Sequence, residues 1–299
     1  MVTIRPLSPI DIDSAEVLLK RAFLRPANRR IELERALRIQ PDGWHLAEID
    51  GVQVGMVGAV VYDRFSWIGL MAVDPDHQSR GIGRALMKHV LADLDRRKAL
   101  DSSNGGNEAM VLLDASEAGA PLYQSLGFIE EDECRVYNLS LPLPLLSSDV
   151  QTKLEQGKYR ITPMTSKLLS AIAAFDAPLF GASREAVLKA YFDEFSDRSF
   201  VVLSPSGQIE GYLIAQAMRI GPWTASSNEV AEILFHRALR LNYNDPPHVI
   251  IPGKNSAAAS LISALGFTPG NANKHMRRGG TGLTGFRERI FGQASFAVG

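Results

Sequence analysis

The stretch Leu70–Leu86, which reads LMAVDPDHQSRGIGRAL, decides how the rest of the chain is interpreted. A strand pattern ends near Val73, a proline breaks it, and residues 78–83 (QSRGIG) open directly into a helical pattern. A helix N-terminus presents unpaired N–H groups and a partial positive charge, and glycines let the backbone approach a phosphate closely. The stretch therefore predicts an anion site with Arg80 and Arg84 at its rim. A tight turn without any ligand explains two glycines alone equally well.

Hydrophobic periodicity on either side of this stretch predicts an alternation of strands and helices. The Asp50-Gly51 pair between two strand patterns predicts a tight hairpin, because such pairs tolerate positive φ. In the first half, strands are predicted at Val2–Pro6, Trp44–Ile49, Val52–Tyr62, Ser66–Val73, Met110–Asp114 and Phe128–Leu139, and helices at Asp11–Arg25, Ile82–Arg96 and Ala118–Leu126.

A similar order of elements begins again after a proline-containing connector, Leu141-Pro142-Leu143-Pro144. The segments Leu112–Phe128 and Ile250–Phe267 both end in Leu-Gly-Phe, which indicates a repeat, although any helix-glycine-strand junction looks alike. We therefore predict domains at 1–140 and 158–299, joined by a linker at 141–157. Further strands are predicted at Tyr159–Pro163, Arg198–Leu203, Ile209–Ile220, His248–Ile251 and Phe267–Arg278, and helices at Thr165–Phe175, Ser183–Phe195, Asn228–Leu241 and Ser256–Leu265.

Composition excludes several classes of protein. The 299 residues carry a net charge of −1, which gives no reason to expect binding to nucleic acid or to a membrane surface. No apolar stretch approaches the roughly 20 residues of a membrane span, and the N-terminus has no signal-peptide pattern. The single cysteine, Cys134, excludes an internal disulfide. We expect a soluble cytoplasmic protein of undetermined oligomeric state.

The spacing Q-x-x-G-x-G at Gln78, Gly81 and Gly83, followed by Leu-Tyr-x-x-Leu-Gly-Phe at residues 122–128, resembles the GCN5-related N-acetyltransferase (GNAT) superfamily. The resemblance implies an α/β (α+β) fold with two tandem GNAT-like domains, each a mixed, mostly antiparallel central sheet flanked by helices. It implies acetyl-CoA as cosubstrate. The six histidines show no H-x-x-x-H or H-E-x-x-H spacing, so we expect no metal site. The implied cofactor-binding residues are Met71, Ala72, Val73, Gln78, Ser79, Arg80, Gly81, Ile82, Gly83, Arg84 and Ala85.

The resemblance also suggests how the reaction is catalysed. Tyr123 occupies the place of the tyrosine that protonates the departing thiolate in many members of the superfamily. Asp114, at the end of a predicted strand, is a candidate base; the alternatives are a helix cap at this position or a water relay. Cys134 lies in an acidic run that raises a thiol pKa, so we interpret it as structural.

The second half resembles the C-terminal domain of tandem GNAT proteins of the YitH-like type, notably at Phe175–Arg184 (FDAPLFGASR). Its predicted strand-to-helix turn, Arg219–Thr224, lacks the glycine spacing, and Ile262 replaces the tyrosine. We expect a degenerate domain that has no cofactor site and that closes off the acceptor side. Asp176 and Arg184 are interpreted either as acceptor contacts or as a surface cap or ion pair.

The function that these features favour is acetyl-CoA-dependent N-acetyl transfer to a primary amine of a small molecule, by direct attack in a ternary complex. Two alternatives stay open. One is a non-catalytic acyl-CoA-binding sensor or scaffold, and the other is acetylation of a thiol-precursor amine as in mycothiol synthase.

Overall fold

The computed structural model describes residues 1–23, 29–100, 109–139, 158–280 and 284–299. The chain forms two compact units. Where the structure describes them, unit 1 comprises residues 1–131, 275–280 and Val298, and unit 2 comprises residues 132–274, 284–297 and Gly299. The predicted linker at 141–157 lies outside the described residues. Among the helices that the structure describes, none combines the length and the apolar character needed to cross a bilayer.

The sheet of unit 1 is mixed and mostly antiparallel, as predicted. In hydrogen-bonding order it runs β1-β2-β3-β4-β5, and the C-terminal end of β12 lies beside β5. The pairs from β1 to β4 are antiparallel, and β4 and β5 are parallel. The strands are β1 (Val2–Pro6), β2 (Trp44–Ile49), β3 (Val52–Val61), β4 (Ser66–Val73), β5 (Val111–Ala115), β6 (Ile129–Leu139) and β12 (Phe267–Arg278).

The hairpin between β2 and β3 follows the sequence prediction. Asp50 has φ 50° and Gly51 has φ 79°, and Ile49 pairs with Val52 across the turn. Both central residues thus adopt the positive φ that a two-residue type I′ connection requires.

Unit 1 also contains helices, and the sequence pattern did not predict one of them. They are α1 (Ile12–Phe23), α2 (Arg29–Ile39), α3 (Ile82–Leu100) and α4 (Ala120–Gln124). Helix α2 reads RRIELERALRI, whose charge density hides the narrow apolar stripe that buries Leu33 and Ala36. Helix α4 ends before Gly127, which has φ 87° in the left-handed region.

Unit 2 contains a five-stranded sheet in the order β13-β10-β9-β8-β7, and β11 pairs antiparallel with β6. Its remaining strands are β7 (Arg160–Pro163), β8 (Ser199–Leu203), β9 (Ile209–Ala215), β10 (Ile220–Ala225), β11 (His248–Pro252) and β13 (Ile290–Gly292). Its helices are α5 (Leu169–Phe180), α6 (Glu185–Glu194), α7 (Asn228–Leu239) and α8 (Ser256–Ala264).

The predicted strand-to-helix turn at Arg219–Thr224 is wrong. Residues 220–225 form strand β10, and the turn before α7 is the short Ser226-Ser227. The Gly221-Pro222 pair suggested a break, but the strand accommodates it at an irregularity of register between Ile220 and Trp223.

Each unit includes a strand segment from the other half of the sequence. Residues 132–139 of β6 belong to unit 2, and residues 275–278 of β12 belong to unit 1. Sequence patterns predict strands but not which strands pair. The domains predicted from the sequence are therefore continuous segments. The boundaries of the compact units therefore differ from those segments at both ends.

Candidate functional site

The candidate site of unit 1 begins where strands β4 and β5 part. Ser66, Trp67 and Ile68 pair with residues 111–113 of β5, and the register of the two strands ends there. Residues 69–73 of β4 continue without a β5 partner. Backbone groups on this edge of β4 are therefore available to a ligand lying between the two strands.

A β-bulge lies within this parted section. Gly58 pairs with Gly69 and Met56 with Ala72, so that Val57 alone faces two residues of β4. One of the two, Leu70, has φ 50°, which is unusual for a residue with a side chain. Bulges redirect the backbone groups of a strand and are common beside active sites. The bulge therefore changes the direction of the backbone groups on this part of β4.

The anion cradle predicted from the sequence lies in the loop after β4. Ser79 has φ 61° and Gly81 has φ 79°, and the N–H of Ala85 donates to the Gly81 carbonyl at 3.0 Å as α3 begins. The N–H groups of residues 82–84 therefore precede the first intrahelical bond. The first turn of α3 carries no acidic residue. The amide of Gln78 donates to the Val73 carbonyl at 3.2 Å, which ties the loop to the end of β4.

The two glycines of the cradle have different physical roles. A Cβ at Gly81 would meet nothing within 4 Å, so this residue is required for its positive φ and lies at the open surface. A Cβ at Gly83 would lie 3.0 Å from Cε of Met71 and 3.4 Å from Cδ2 of Leu122. Gly83 therefore allows α3 to approach β4 and α4 closely.

Tyr123 lies on α4 and is 8% exposed. Its ring meets Phe128 edge-on, with centroids 6.0 Å apart. Burial raises the pKa of the Tyr123 phenol to about 12. The hydroxyl is therefore protonated throughout the neutral range.

The carboxylate of Asp114 contacts a histidine that the sequence analysis did not identify. Asp114 Oδ1 lies 2.8 Å from His275 Nδ1, and both side chains are almost completely buried. The imidazole also packs against the indole of Trp67, with ring centroids 5.3 Å apart. The capping alternative for Asp114 is wrong, because the N-cap of α4 is Gly119, whose N–H donates a hydrogen bond to the Ser116 hydroxyl oxygen at 3.2 Å. Only the folded strand order brings residues 161 positions apart together, so no local signal could have found His275.

Unit 2 has no comparable cradle at the start of α7, the helix that follows β10. Ser227 caps this helix by accepting a hydrogen bond from the N–H of Val230 at 3.3 Å. Glu229 lies in the first turn, where its charge opposes an anion, and it pairs with Lys158. Ile262 is fully buried in the core of this unit.

Asp176 and Arg184 form a buried ion pair in unit 2. The guanidinium donates to both carboxylate oxygens, at 2.7 and 3.0 Å, and both side chains are fully buried. Tyr212 and Thr224 donate to the same carboxylate at 2.6 and 3.1 Å. Of the interpretations given above, the ion pair is the one observed, and it is buried rather than at the surface.

Comparison with known proteins finds two matches to family models described as acetyltransferase (GNAT) domains, at residues 40–130 and 172–292. The uncharacterised N-acetyltransferase YitH of Bacillus subtilis is 24% identical over 226 residues, covering 73% of this chain and 72% of that protein. The alanine N-acetyltransferase of ribosomal protein bS18 from Escherichia coli is 32% identical over 142 residues, covering 46% of this chain and 87% of the enzyme.

A crystal structure of a candidate acetyltransferase from Pyrococcus horikoshii superposes on this chain with a TM-score of 0.81 at 25% identity. The superposition covers 100% of this chain and 96% of the other. The similarity thus extends over both halves of the sequence.

Proposed function

We propose, from the premise that this chain is an acyltransferase of the acetyltransferase (GNAT) family with two GNAT domains in tandem, that its first unit transfers an acetyl group from acetyl-CoA to a primary amine of a small molecule. The observation that carries the proposal is the cradle at the N-terminus of α3, placed directly after the parted section of β4.

The residues present in unit 1 fit acetyl-CoA. The open, positive-φ Gly81 and the acid-free first turn of α3 suit a pyrophosphate, with Arg80 and Arg84 exposed beside it. The unpaired edge of β4 at Met71, Ala72 and Val73 suits the amide groups of pantetheine. Acetyl-CoA supplies the activated acetyl thioester. Ser79, Gly81 and residues 82–84 would hold its phosphates, Ala85 would close the first turn of α3 behind them, and Gln78 would keep the loop in place.

A proton acceptor is required, because free alkyl amines have pKa values near ~10 and only the neutral amine is a nucleophile. Asp114 stays the candidate base of this proposal. When Nδ1 of His275 donates its proton to a hydrogen bond with Asp114, Nε2 of the same imidazole has the lone pair that can accept a proton. Because both side chains are buried, a water relay would connect them to the amine.

Tyr123 is proposed as the general acid. Its raised pKa keeps the phenol protonated, so that it can donate to the sulfur that leaves. Backbone N–H groups at the bulge around Leu70 would stabilise negative charge on the acyl oxygen. The amine attacks directly in a ternary complex, and no covalent enzyme intermediate is proposed. The buried Cys134 supports this choice, since a nucleophile must reach its substrate. The proposed mechanism uses no metal.

The second unit is proposed to lack a cofactor site. Its helix α7 has a serine cap and an acidic first turn in place of the glycine loop, and Ile262 stands where an acid would be needed.

The family relation favours an enzyme over a sensor without catalysis. The acceptor is the point that an assay must settle. A panel of amino sugars, simple primary amines and peptides with N-terminal alanine, assayed for release of the CoA thiol, separates the classes. We expect turnover with a small primary amine. Turnover with the peptide alone would move the assignment to protein N-termini, and no turnover with any amine would favour the sensor.

A further inference from the structure

The carboxylate of Asp74, at the end of β4, organises the loop that leads into the cradle. Asp74 Oδ1 accepts a hydrogen bond from the N–H of Asp76 at 3.0 Å and lies 3.3 Å from Nδ1 of His77. The N–H of His77 donates to the Asp74 carbonyl at 2.9 Å. Asp74 is only 8% exposed, although it belongs to a surface loop.

A residue of helix α1 holds this carboxylate from the other side. Nε of Arg21 lies 2.8 Å from Asp74 Oδ2, and its NH2 group lies 2.7 Å from Asp76 Oδ2. Arg21 thus joins α1 to two acidic residues of the loop. Burial raises the pKa of the Asp74 carboxyl, but hydrogen bonds from His77, the Asp76 N–H and Arg21 lower it by more, so the group is ionised at neutral pH.

This arrangement is unexpected beside an anion site. Two carboxylates lie within seven residues of Gly81, and by charge alone each opposes the binding of a phosphate. Their presence requires a structural reason. Since the loop must hold Ser79 at φ 61° and Gly81 at φ 79°, fixing the residues before it lowers the entropy that binding would otherwise remove.

We propose that the Arg21–Asp74 ion pair is a positioning device that preorganises the cradle for acetyl-CoA without touching it. The inference rests on the proposed cofactor site of unit 1 and adds two residues that neither the glycine spacing nor the family resemblance includes. Arg21 and Asp74 hold the loop, and the loop presents the N–H groups of α3.

One substitution distinguishes preorganisation from simple electrostatics, because the two effects change the affinity for CoA in opposite directions. Asp74→Asn removes a negative charge near the phosphates, so a purely electrostatic effect strengthens the binding of CoA. Loss of preorganisation weakens it. We expect titration calorimetry with CoA to show about tenfold weaker binding for Asp74→Asn and for Arg21→Gln, which corresponds to ~1.4 kcal/mol. The double variant should be no weaker than either single variant, because both substitutions break the same contact.

The matched control is Arg30→Gln. Arg30 is 47% exposed, against 49% for Arg21, and also pairs with two carboxylates, those of Asp13 and Glu34. It should bind CoA as the wild type does. Thermal unfolding of every variant checks that the fold persists, and hydrogen exchange of the amides from Gln78 to Ala85 should be faster in Asp74→Asn even without CoA.

Tighter or unchanged CoA binding by Asp74→Asn, or equal weakening by Arg30→Gln, would overturn the inference and leave the proposed function intact. Absence of CoA binding by the wild type would instead overturn the proposed function and this inference with it. Unchanged exchange in the Gln78–Ala85 amides would contradict the ordering of the loop directly.

Discussion

Asp114 and His275 lie 2.8 Å apart, Oδ1 to Nδ1, although 161 residues separate them in the sequence. Asp114 is the next-to-last residue of β5, and His275 lies near the end of β12, the strand beside β5. The strand order of unit 1 therefore adds an imidazole from the C-terminal half of the sequence to the carboxylate proposed as base.

If this pair accepts the proton of the amine, replacing either member should slow the reaction rather than weaken acetyl-CoA binding. We expect Asp114→Asn and His275→Gln each to lower kcat by about 10²-fold or more, the lower end of the usual contribution of general-base catalysis. Steady-state kinetics with the amine found in the panel measures kcat, and calorimetry measures the binding. His45→Gln, at another buried histidine of unit 1, is the control and should keep most of the activity. Normal kcat in both pair variants would leave the pair a structural contact only.

Tyr123→Phe should lower kcat by about 10²- to 10⁴-fold and leave acetyl-CoA binding within twofold, since only the hydroxyl is removed. The pH–rate profile of the wild type adds a second check. Because burial raises the pKa of Tyr123 to about 12, the rate should show no decline from loss of this proton below about pH 10. The control is Tyr243→Phe, because burial raises the pKa of Tyr243 to about 12 as well. Full activity of Tyr123→Phe would remove this residue from the mechanism.

The local elements of the site could be predicted because their signals are local. The glycine spacing of residues 78–83, followed by a helical pattern, predicts the cradle. The Asp50-Gly51 pair predicts the hairpin. The bulge at Leu70 could not be predicted, since it depends on the register between β3 and β4, which neither strand sequence specifies alone. Because strand pairing could not be predicted, neither could the role of His275 or the assignment of residues 132–139 of β6 and 275–278 of β12 to their units.

Charge hid two further features. Helix α2 carries so few apolar residues that its helical period was not recognised. In the sequence, Asp74 indicates only the break after a strand. The partner that explains the burial of Asp74 comes from a distant part of the sequence. Arg21 on α1 is the partner of Asp74, and neither residue alone indicates the other.

Asp11 should stabilise unit 1 in a pH-dependent manner. The guanidinium of Arg5 donates to both carboxylate oxygens, at 2.8 and 2.7 Å, and holds the pKa of Asp11 well below its usual value of 3.8. A depressed pKa contributes stability above the unfolded-state value, and this contribution is lost as the pH falls below it. Asp11→Asn should therefore cost about 1–2 kcal/mol in urea unfolding at pH 7. The difference from the wild type should shrink steadily from pH 4 downward; a difference that stays constant to pH 2 would contradict the assignment.

A fragment of residues 1–140 should be less stable than the same residues in the full chain. It lacks residues 275–278 of β12, so β5 is left with an unpaired edge. We expect a lower melting temperature or aggregation. A synthetic peptide of residues 267–280 should restore part of the stability, and a peptide of the same composition in scrambled order is its control. A fragment as stable as the full chain would show that the exchanged strand is dispensable.

The most direct test of the central claim is titration calorimetry with acetyl-CoA on the wild type, Gly81→Asp and Gly81→Asn. Both substitutions suit the positive φ of this open position, since Asp and Asn tolerate the left-handed region, and they differ only in charge. We expect one acetyl-CoA per chain for the wild type and for Gly81→Asn, and at least tenfold weaker binding for Gly81→Asp. Two sites per chain, no binding by the wild type, or equal affinities of the two variants would contradict it.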